Sequence, residues 1–237
     1  MNGFSYNNIF DTKGIEYLVV IAFLIVIILW WQLMKANSIR PKKMQKTSGA
    51  LSFSTLKIPL GLFYSKNHTW LFMQKSGIAK VGLNDLLVHL TGIKKVIPLK
   101  EAGEQVSKGD VLARIGNNGK SINILSPISG TVIKPNPALE MDADTLNDDP
   151  YGKGWIYSIR PANWKGETAT CYHADESPDW LRAELERFKE FISMNINKYA
   201  KDGSAVILQD GGEICDYTLS GLPEECWSDF GKNFCTL

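Results

Sequence analysis

The residue best placed to do chemistry in this 237-residue chain is Lys120. It ends the segment Gly116–Lys120, whose sequence GNNGK lies between two apolar runs. Asparagine and glycine tolerate positive φ angles, so the segment predicts a tight, exposed turn that presents whichever side chain occupies it. A lysine amine presented in this way can accept an acyl group. The alternative interpretation is that Lys120 is a solvated surface charge.

A phosphate-binding loop is a second interpretation of the sequence GNNGKS, and the residues disfavour it. That loop needs a glycine five residues before Gly119, and Arg114 occupies the position. It also needs a strand, a loop and a helix in that order, whereas the pattern here predicts a strand, a turn and a strand.

The cysteines and histidines form no recognisable site in the sequence. The four cysteines are too widely spaced for a CxxC metal site or a disulfide framework, and we expect free thiols: Cys171, Cys215, Cys226 and Cys235. A thiol-redox role for Cys215, Cys226 or Cys235 is an alternative. His68 and His89 have no ligand partner at suitable spacing, so both are expected to be packed or surface histidines, and no metal site is predicted.

Two pairs of neighbouring carboxylates have a structural interpretation. Asp148 and Asp149 lie in a turn-like segment, and Glu224 and Glu225 lie at the start of a helix-like one. Carboxylates in such settings cap backbone amides. We therefore predict no catalytic residue in this protein, which is not expected to be an enzyme.

Short apolar runs bounded by turn residues must position the Lys120 turn, and they predict a small mainly β domain. The segment NDLLVHL interrupts them with a short helix over Leu86–Leu90, for which Asn84 is the expected N-cap. Val111–Ile115 and Ile122–Leu125 are expected to pair as a hairpin. The predicted strands are Trp70–Gln74, Gly77–Gly82, Lys95–Pro98, Val111–Ile115, Ile122–Leu125, Thr131–Lys134 and Trp155–Ile159.

The C-terminal region changes to a helical pattern. Ser177 is the expected N-cap of a helix with Pro178 at its first position. Its apolar face comprises Leu181, Leu185, Phe188 and Ile192. A hairpin around Asp210–Gly212 and a last helical turn in PEECWSDFGKNF are expected to follow.

The N-terminal region contains an apolar run from Tyr17 to Met34 with no formal charge. A helix of this length covers about 27 Å, close to the roughly 30 Å hydrocarbon core of a bilayer. Trp30 and Trp31 lie near its end, where indole rings favour the membrane interface. The run lacks the basic start and the cleavage site of a signal peptide, so it predicts an uncleaved membrane-spanning helix.

The distribution of basic residues predicts the orientation of that helix. Lys13 precedes it, and a basic cluster follows it: Lys35, Arg40, Lys42, Lys43 and Lys46. Lysine and arginine favour the cytoplasmic side, so the N-terminus is expected outside an inner or plasma membrane, with the soluble part cytoplasmic. The whole chain has 26 basic and 25 acidic residues, and the part after the cluster is slightly acidic, so nucleic acid is not an expected partner.

Several motifs of the β region resemble the H protein of the glycine cleavage system, a lipoyl carrier with a barrel-sandwich fold. The most specific match is the long segment that ends at Pro161. The matching segments are YSKNHTW (Tyr64–Trp70), KVGLND (Lys80–Asp85), AGEQVSKGDVL (Ala102–Leu112), SPISGTV (Ser126–Val132) and ALEMDADTLNDDPYGKGWIYSIRP (Ala138–Pro161). The resemblance implies a lipoyl-like barrel-sandwich hybrid with flanking helices, here preceded by one transmembrane helix.

The resemblance also places the lysine that carries the lipoyl group. In the family pattern it stands ten residues after the equivalent of Gly109 and eight before the equivalent of Pro127, and both intervals lead to Gly119. Lys120 is one residue late, and the family's glutamate three residues before the lysine is replaced by Gly116. A one-residue step along a strand turns a side chain to the opposite face.

Two functional hypotheses follow from this register. The favoured one is a membrane-anchored H-protein-like domain that lacks a lipoyl group and serves as a non-enzymatic adaptor or subunit of a membrane-associated complex. The alternative is a lipoylated carrier that uses Lys120 to shuttle an aminomethyl or acyl group between glycine-cleavage-type enzymes. The predicted organisation is an extracytoplasmic N-terminus (1–14), a transmembrane helix (15–34), a basic linker (35–56), the H-protein-like domain (57–163) and a C-terminal helix with an extension (164–237).

Overall fold

A computed structural model describes residues 9–36, 51–199 and 214–237. The chain divides into two compact units, residues 1–47 and 48–237. The predicted hairpin around Asp210–Gly212 and residues 37–50 of the basic linker lie outside the described residues.

The first unit contains one helix, α1 (Ile9–Ala36), of 28 residues. Its side chains are exposed from Tyr17 to Trp30. Helix α1 includes residues 15–34, for which the sequence predicts a transmembrane helix. The side chains that the structure describes in α1 are those of residues 17–30. Within the described part of the chain, no helix is long and apolar enough to cross a membrane. A membrane-spanning role for α1 remains a prediction from the sequence.

The second unit is mainly β, as expected. Its first elements are a 3-10 turn (Phe53–Thr55), β1 (Phe63–Tyr64), β2 (Thr69–Met73), β3 (Ala79–Leu83), α2 (Asp85–Thr91), β4 (Lys95–Pro98), β5 (Gln105–Val106), β6 (Val111–Asn117) and β7 (Lys120–Leu125). They are followed by β8 (Gly130–Pro135), α3 (Pro137–Met141), α4 (Asp144–Asp148), β9 (Tyr157–Pro161), α5 (Trp164–Thr168), β10 (Tyr172–His173), α6 (Glu176–Tyr199), a second 3-10 turn (Thr218–Gly221) and α7 (Glu224–Phe234).

The strands form two antiparallel sheets, with orders β10-β1-β2-β3-β9-β8-β5 and β4-β6-β7. Side chains from both sheets belong to one buried core, which is consistent with the expected barrel-sandwich. Each predicted strand overlaps an observed one. Three strands of two residues, β1, β5 and β10, were not predicted.

The short helix α2 forms as predicted. The Asn84 side chain accepts a hydrogen bond from the amide of Leu87 at 3.0 Å, which is the expected N-cap. The helix ends at Gly92, whose φ of 58° places it in the left-handed region. A Cβ at Gly92 would lie 2.6 Å from the Tyr217 ring, so glycine also allows the C-terminal region to approach.

The long C-terminal helix α6 has the predicted buried face, formed by Leu181, Leu185, Phe188 and Ile192. Its start differs from the prediction. The helix begins at Glu176, so Ser177 is inside the first turn and is not the N-cap. The Ser177 hydroxyl is buried without a hydrogen-bond partner in the described part of the chain. Tertiary packing of the helix start has outweighed the local capping preference of this serine.

Candidate functional site

The tip of the β6–β7 hairpin is a two-residue turn. Asn117 and Lys120 are paired across the hairpin, and Asn118 (φ 50°) and Gly119 (φ 83°) connect them. Two consecutive positive φ angles are typical of the type I′ turn, which suits the twist of antiparallel strands. The predicted turn is therefore confirmed, but it is shorter than the segment Gly116–Lys120, because Lys120 is already the first residue of β7.

Gly119, which the sequence predicts to match the lipoyl lysine of the family, lies at the exposed apex. No atom lies within 4 Å of the position that a Cβ would occupy there. A side chain at this residue would project into open space.

The base of the tip is fixed by Asn117. This side chain is buried, and its amide donates hydrogen bonds to the carbonyl oxygens of Thr91 (3.1 Å) and Gly92. The hairpin is thereby attached to the end of α2. The two contacts hold the tip in one position relative to the core.

The amine of Lys120 is held by the C-terminal region. Its Nζ donates hydrogen bonds to the carbonyl oxygens of Ser220 (2.9 Å) and Leu222. These carbonyls lie at the end of the turn Thr218–Gly221, where they have no helical partner. Hydrogen bonds from a charged donor are stronger than those between neutral groups. Acylation of Lys120 would remove the charge and leave a single N–H, so it would cost at least one of these two contacts and weaken the other.

The segment that supplies these carbonyls packs on the same hairpin. Helix α7 lies against β7, and a Cβ at Gly231 would be 3.4 Å from the Ile122 side chain. The Trp227 indole is fully buried and donates a hydrogen bond to the carbonyl of Leu219 at 2.6 Å. Residues 214–237, which we call the C-terminal cover, therefore occupy the edge of the sheet formed by β7.

A histidine between two carboxylates attaches the C-terminal cover to α2. His89 Nδ1 lies 2.8 Å from Asp216 Oδ1, and His89 Nε2 lies 3.4 Å from Asp85 Oδ2. Burial opposes the charged imidazolium, but the hydrogen bonds and charges of Asp216 and Asp85 outweigh it and raise the pKa of His89 to about 9. His89 is therefore charged at neutral pH and forms ion pairs on both sides. The adjacent amide of Tyr217 donates to the His89 carbonyl at 2.6 Å.

The sequence prediction found only part of this histidine site. Asp85 precedes His89 by four residues on one helix and can be recognised by that spacing. Asp216 is 127 residues away in the chain, so spacing alone could not identify it. No group of His, Cys, Asp and Glu side chains in the described ranges is arranged to hold a metal ion.

His68 is a packed histidine, one of the two settings expected. It is buried, with its ring 5.5 Å from Trp180 and 6.2 Å from Phe234. Its Nε2 lies 3.3 Å from Glu184 Oε2. These contacts attach both α6 and α7 to the β domain.

Cys171, Cys215 and Cys235 are free thiols, as expected. Burial raises the pKa of Cys235 to about 12 and also raises the pKa of Cys171. A raised pKa removes the thiolate needed for nucleophilic chemistry near neutral pH. The thiol-redox alternative, which named Cys215, Cys226 and Cys235, is therefore not supported at Cys235.

The predicted capping of backbone amides is confirmed for Asp149 and stays a prediction for Asp148, Glu224 and Glu225. Asp149 accepts hydrogen bonds from the amides of Gly152 and Lys153, both at 2.9 Å. Glu224 and Glu225 lie in the first turn of α7. Strand β7 follows the Asn118–Gly119 turn directly, so the strand, loop and helix of a phosphate-binding loop are absent from this segment.

Comparison with known proteins gives a consistent family assignment. The family model described as glycine cleavage H-protein matches residues 62–182. A "Probable glycine cleavage system H protein" of Thermococcus kodakarensis is 35% identical over 127 residues, which cover 54% of this chain and 94% of the relative. A "Glycine cleavage system H protein" of Coxiella burnetii is 37% identical over 103 residues, covering 44% of this chain and 79% of the relative.

A solved structure is also similar. The crystal structure of a glycine cleavage system H protein from Mycobacterium marinum has 30% sequence identity and a TM-score of 0.41, and the match covers 44% of this chain and 87% of that one. The hairpin with Lys120 falls inside the range matched by the family model, and the C-terminal cover falls outside it.

Proposed function

Because the chain belongs to the glycine cleavage H-protein family, we propose that its β domain keeps the family's role of meeting other proteins but carries no lipoyl group. The protein is then a non-enzymatic adaptor or subunit of a protein complex. The shared family supports the docking role, and the hairpin supports the loss of the cofactor.

The observation that carries this proposal is the position of the Lys120 amine. It lies on the carbonyls of Ser220 and Leu222, while the position that matches the lipoyl lysine is Gly119, which has no amine. A lipoyl group needs an amine that a ligase can reach at the apex. The held amine of Lys120 and the missing side chain of Gly119 therefore support the proposed absence of a lipoyl group.

The location of the complex is a second part of the proposal. The apolar run of α1 and the basic residues that follow it support a single membrane span, with the N-terminus outside and the β domain in the cytoplasm. The basic linker (35–56) would lie near anionic lipid headgroups. With such a span, the proposed complex would lie at an inner or plasma membrane.

The second candidate function is the lipoylated carrier, and membership of the family favours it. Lys120 is one residue from the expected position, in a turn of Asn and Gly residues. A ligase could acylate it only after Lys120 had left Ser220 and Leu222. The carrier would then exchange its group with enzymes of the glycine cleavage type.

Purification of the full chain in mild detergent distinguishes the two candidates. The adaptor predicts that the native protein and Lys120→Arg retain the same set of partners, and that the native protein carries no adduct. The carrier predicts an adduct on the native protein that Lys120→Arg abolishes. Loss of all partners from both proteins would contradict the adaptor.

A further inference from the structure

An open groove of about 330 Å³ lies beside the hairpin, over the three-stranded sheet. Its lining includes residues from all three strands and from the turn. Arg114 and Ser121 are exposed along it, and Gly116 forms its floor without a side chain. A groove of this kind can receive a ligand from solvent.

The lining of the groove carries only positive charge. Four basic residues contribute to it, and the lining includes no Asp or Glu among the described residues: Lys94, Lys95, Arg114 and Lys120. Lys94 is ion-paired with Asp144 at 3.0 Å, and Lys120 is held by the C-terminal cover. Arg114 uses Nε to contact Asn123 at 3.1 Å, and Lys95 is exposed. Lys95 and Arg114 are therefore the cations best placed to meet a ligand.

The register of the sheet sets the spacing of these two cations. Lys95 is opposite Gly116, and Arg114 is opposite Ile97, so Lys95 and Arg114 are diagonal neighbours on one face. Diagonal neighbours on adjacent antiparallel strands are about 7–8 Å apart. Alternate residues of an extended peptide are about 6.6–6.8 Å apart and point to the same side. Two carboxylates at alternate positions of such a peptide match the two cations.

We propose that this groove binds an acidic segment of a partner protein in an extended conformation, with carboxylates on Lys95 and Arg114. The inference rests on the proposed function, since it assigns the protein-docking role to the outer face of β4, β6 and β7. It adds the chemistry of the partner, which must present acidic residues at alternate positions. The half-buried Ile97 lies directly opposite Arg114 on the same face, where it offers an apolar contact to the stem of the acidic side chain bound at Arg114.

A compact phosphate ligand fits the groove less well. Phosphate sites bring several donors to one point, often at a helix N-terminus. Here the Lys120 amine is turned to carbonyls, and the two remaining cations are spread along the sheet. The arrangement therefore matches a chain of carboxylates better than a single multivalent anion.

The test measures the binding of a peptide to the purified full chain in detergent by fluorescence anisotropy. The probe is a labelled synthetic peptide with glutamate at alternate positions and valine between them, compared with the same peptide containing glutamine. The glutamate peptide is expected to bind more tightly, and its affinity is expected to fall as salt rises. Lys95→Glu with Arg114→Glu removes two ion pairs and adds repulsion, so it is expected to weaken binding about tenfold or more.

Matched controls separate groove binding from general charge. Lys66→Glu with Lys75→Glu makes the same change of charge at exposed turns outside the groove and should leave binding within about twofold. Ser121 is a diagonal neighbour of Arg114 and lies across Gly116 from Lys95, so Ser121→Glu places a carboxylate in the groove and should block the peptide, whereas Ser121→Gln should not. Thermal unfolding of each variant confirms that the fold is intact.

Three results would overturn the inference. They are equal binding of the two peptides, equal loss in the groove and control variants, and displacement of the peptide by inorganic phosphate far below the concentration at which chloride displaces it. The measurement uses unmodified protein and does not depend on the state of Lys120. If the peptide does not bind, the proposed acidic partner is wrong. The proposed adaptor role is tested separately, by the presence or absence of a lipoyl adduct.

Discussion

Lys120 Nζ and the Ser220 carbonyl oxygen are 2.9 Å apart although the two residues are 100 positions apart in the chain. This contact joins the hairpin that resembles a lipoyl attachment site to a C-terminal cover that lies outside the matched family range. It explains how an H-protein-like domain can retain a lysine near the apex without presenting its amine. The consequences of the contact can be measured.

Replacement of Lys120 should loosen the C-terminal cover. Lys120→Met keeps most of the apolar stem but removes both hydrogen bonds, which we expect to lower the free energy of unfolding by about 1–3 kcal/mol. Amide hydrogen exchange in residues 214–237 should become faster. Lys95→Met, an exposed lysine on β4, serves as the control and should change stability by less than about 0.5 kcal/mol. Similar exchange rates in both variants would show that the Lys120 contacts do not hold the cover.

The ion pairs of His89 should make stability depend on pH. The pKa of His89 is about 9 in the folded protein, above its ordinary value of about 6.5. The contribution of a raised pKa is fully present below the unfolded value and is lost as pH rises through the folded value. The native protein should therefore lose a few kcal/mol, relative to His89→Gln, between pH 6.5 and about 9.

Urea unfolding of both proteins at several pH values measures this difference, because the variant cancels the titration of other groups. Asp85 and Asp216 face the imidazole, so Asp216→Asn should reduce the pH dependence by part of the same amount. A constant difference between native protein and His89→Gln from pH 6 to 10 would be incompatible with this account.

The buried thiols should react slowly. Burial raises the pKa of Cys235 to about 12, so little thiolate is present at pH 8 and the residue is also inaccessible. Alkylation by iodoacetamide, followed by mass spectrometry, should modify the half-buried Cys215 before Cys235. Unfolding in urea should make the rates similar. Rapid modification of Cys235 in the native protein would contradict the described packing of α7.

Restoration of a lysine at the apex should restore acylation. Gly119→Lys places an amine at the position that matches the family's lipoyl lysine, where a side chain meets open space. The φ of 83° costs a non-glycine residue about 1–2 kcal/mol, which a folded domain can tolerate. Incubation with a lipoate–protein ligase, lipoate and ATP should modify Gly119→Lys. Asn118→Lys places a lysine one residue earlier, at a similar positive φ. It should remain unmodified, because the ligase requires the lysine at the position of Gly119.

The sequence predicts the local features of the site and not its long-range contacts. The Asn84 cap and the β6–β7 hairpin depend on nearby residues, so pattern and turn chemistry were sufficient. The contacts of Lys120 use main-chain carbonyls of Ser220 and Leu222, which carry no signal in the side-chain pattern. Local preference predicts Ser177 as the N-cap of a helix that starts at Pro178. The helix instead begins at Glu176, two residues before that start, because α6 packs through Leu181 and Leu185 against the core. Two-residue strands such as β10 are too short to show any alternation.

The most direct test of the central claim is the intact mass of the native protein purified from cells supplied with lipoate. We predict the mass of the unmodified chain, because the amine of Lys120 is held by the C-terminal cover and Gly119 offers none. The peptide containing Lys120 should likewise carry no adduct in tandem mass spectrometry. A lipoyl or octanoyl group on Lys120 that disappears in Lys120→Arg would contradict the adaptor and establish the protein as a carrier.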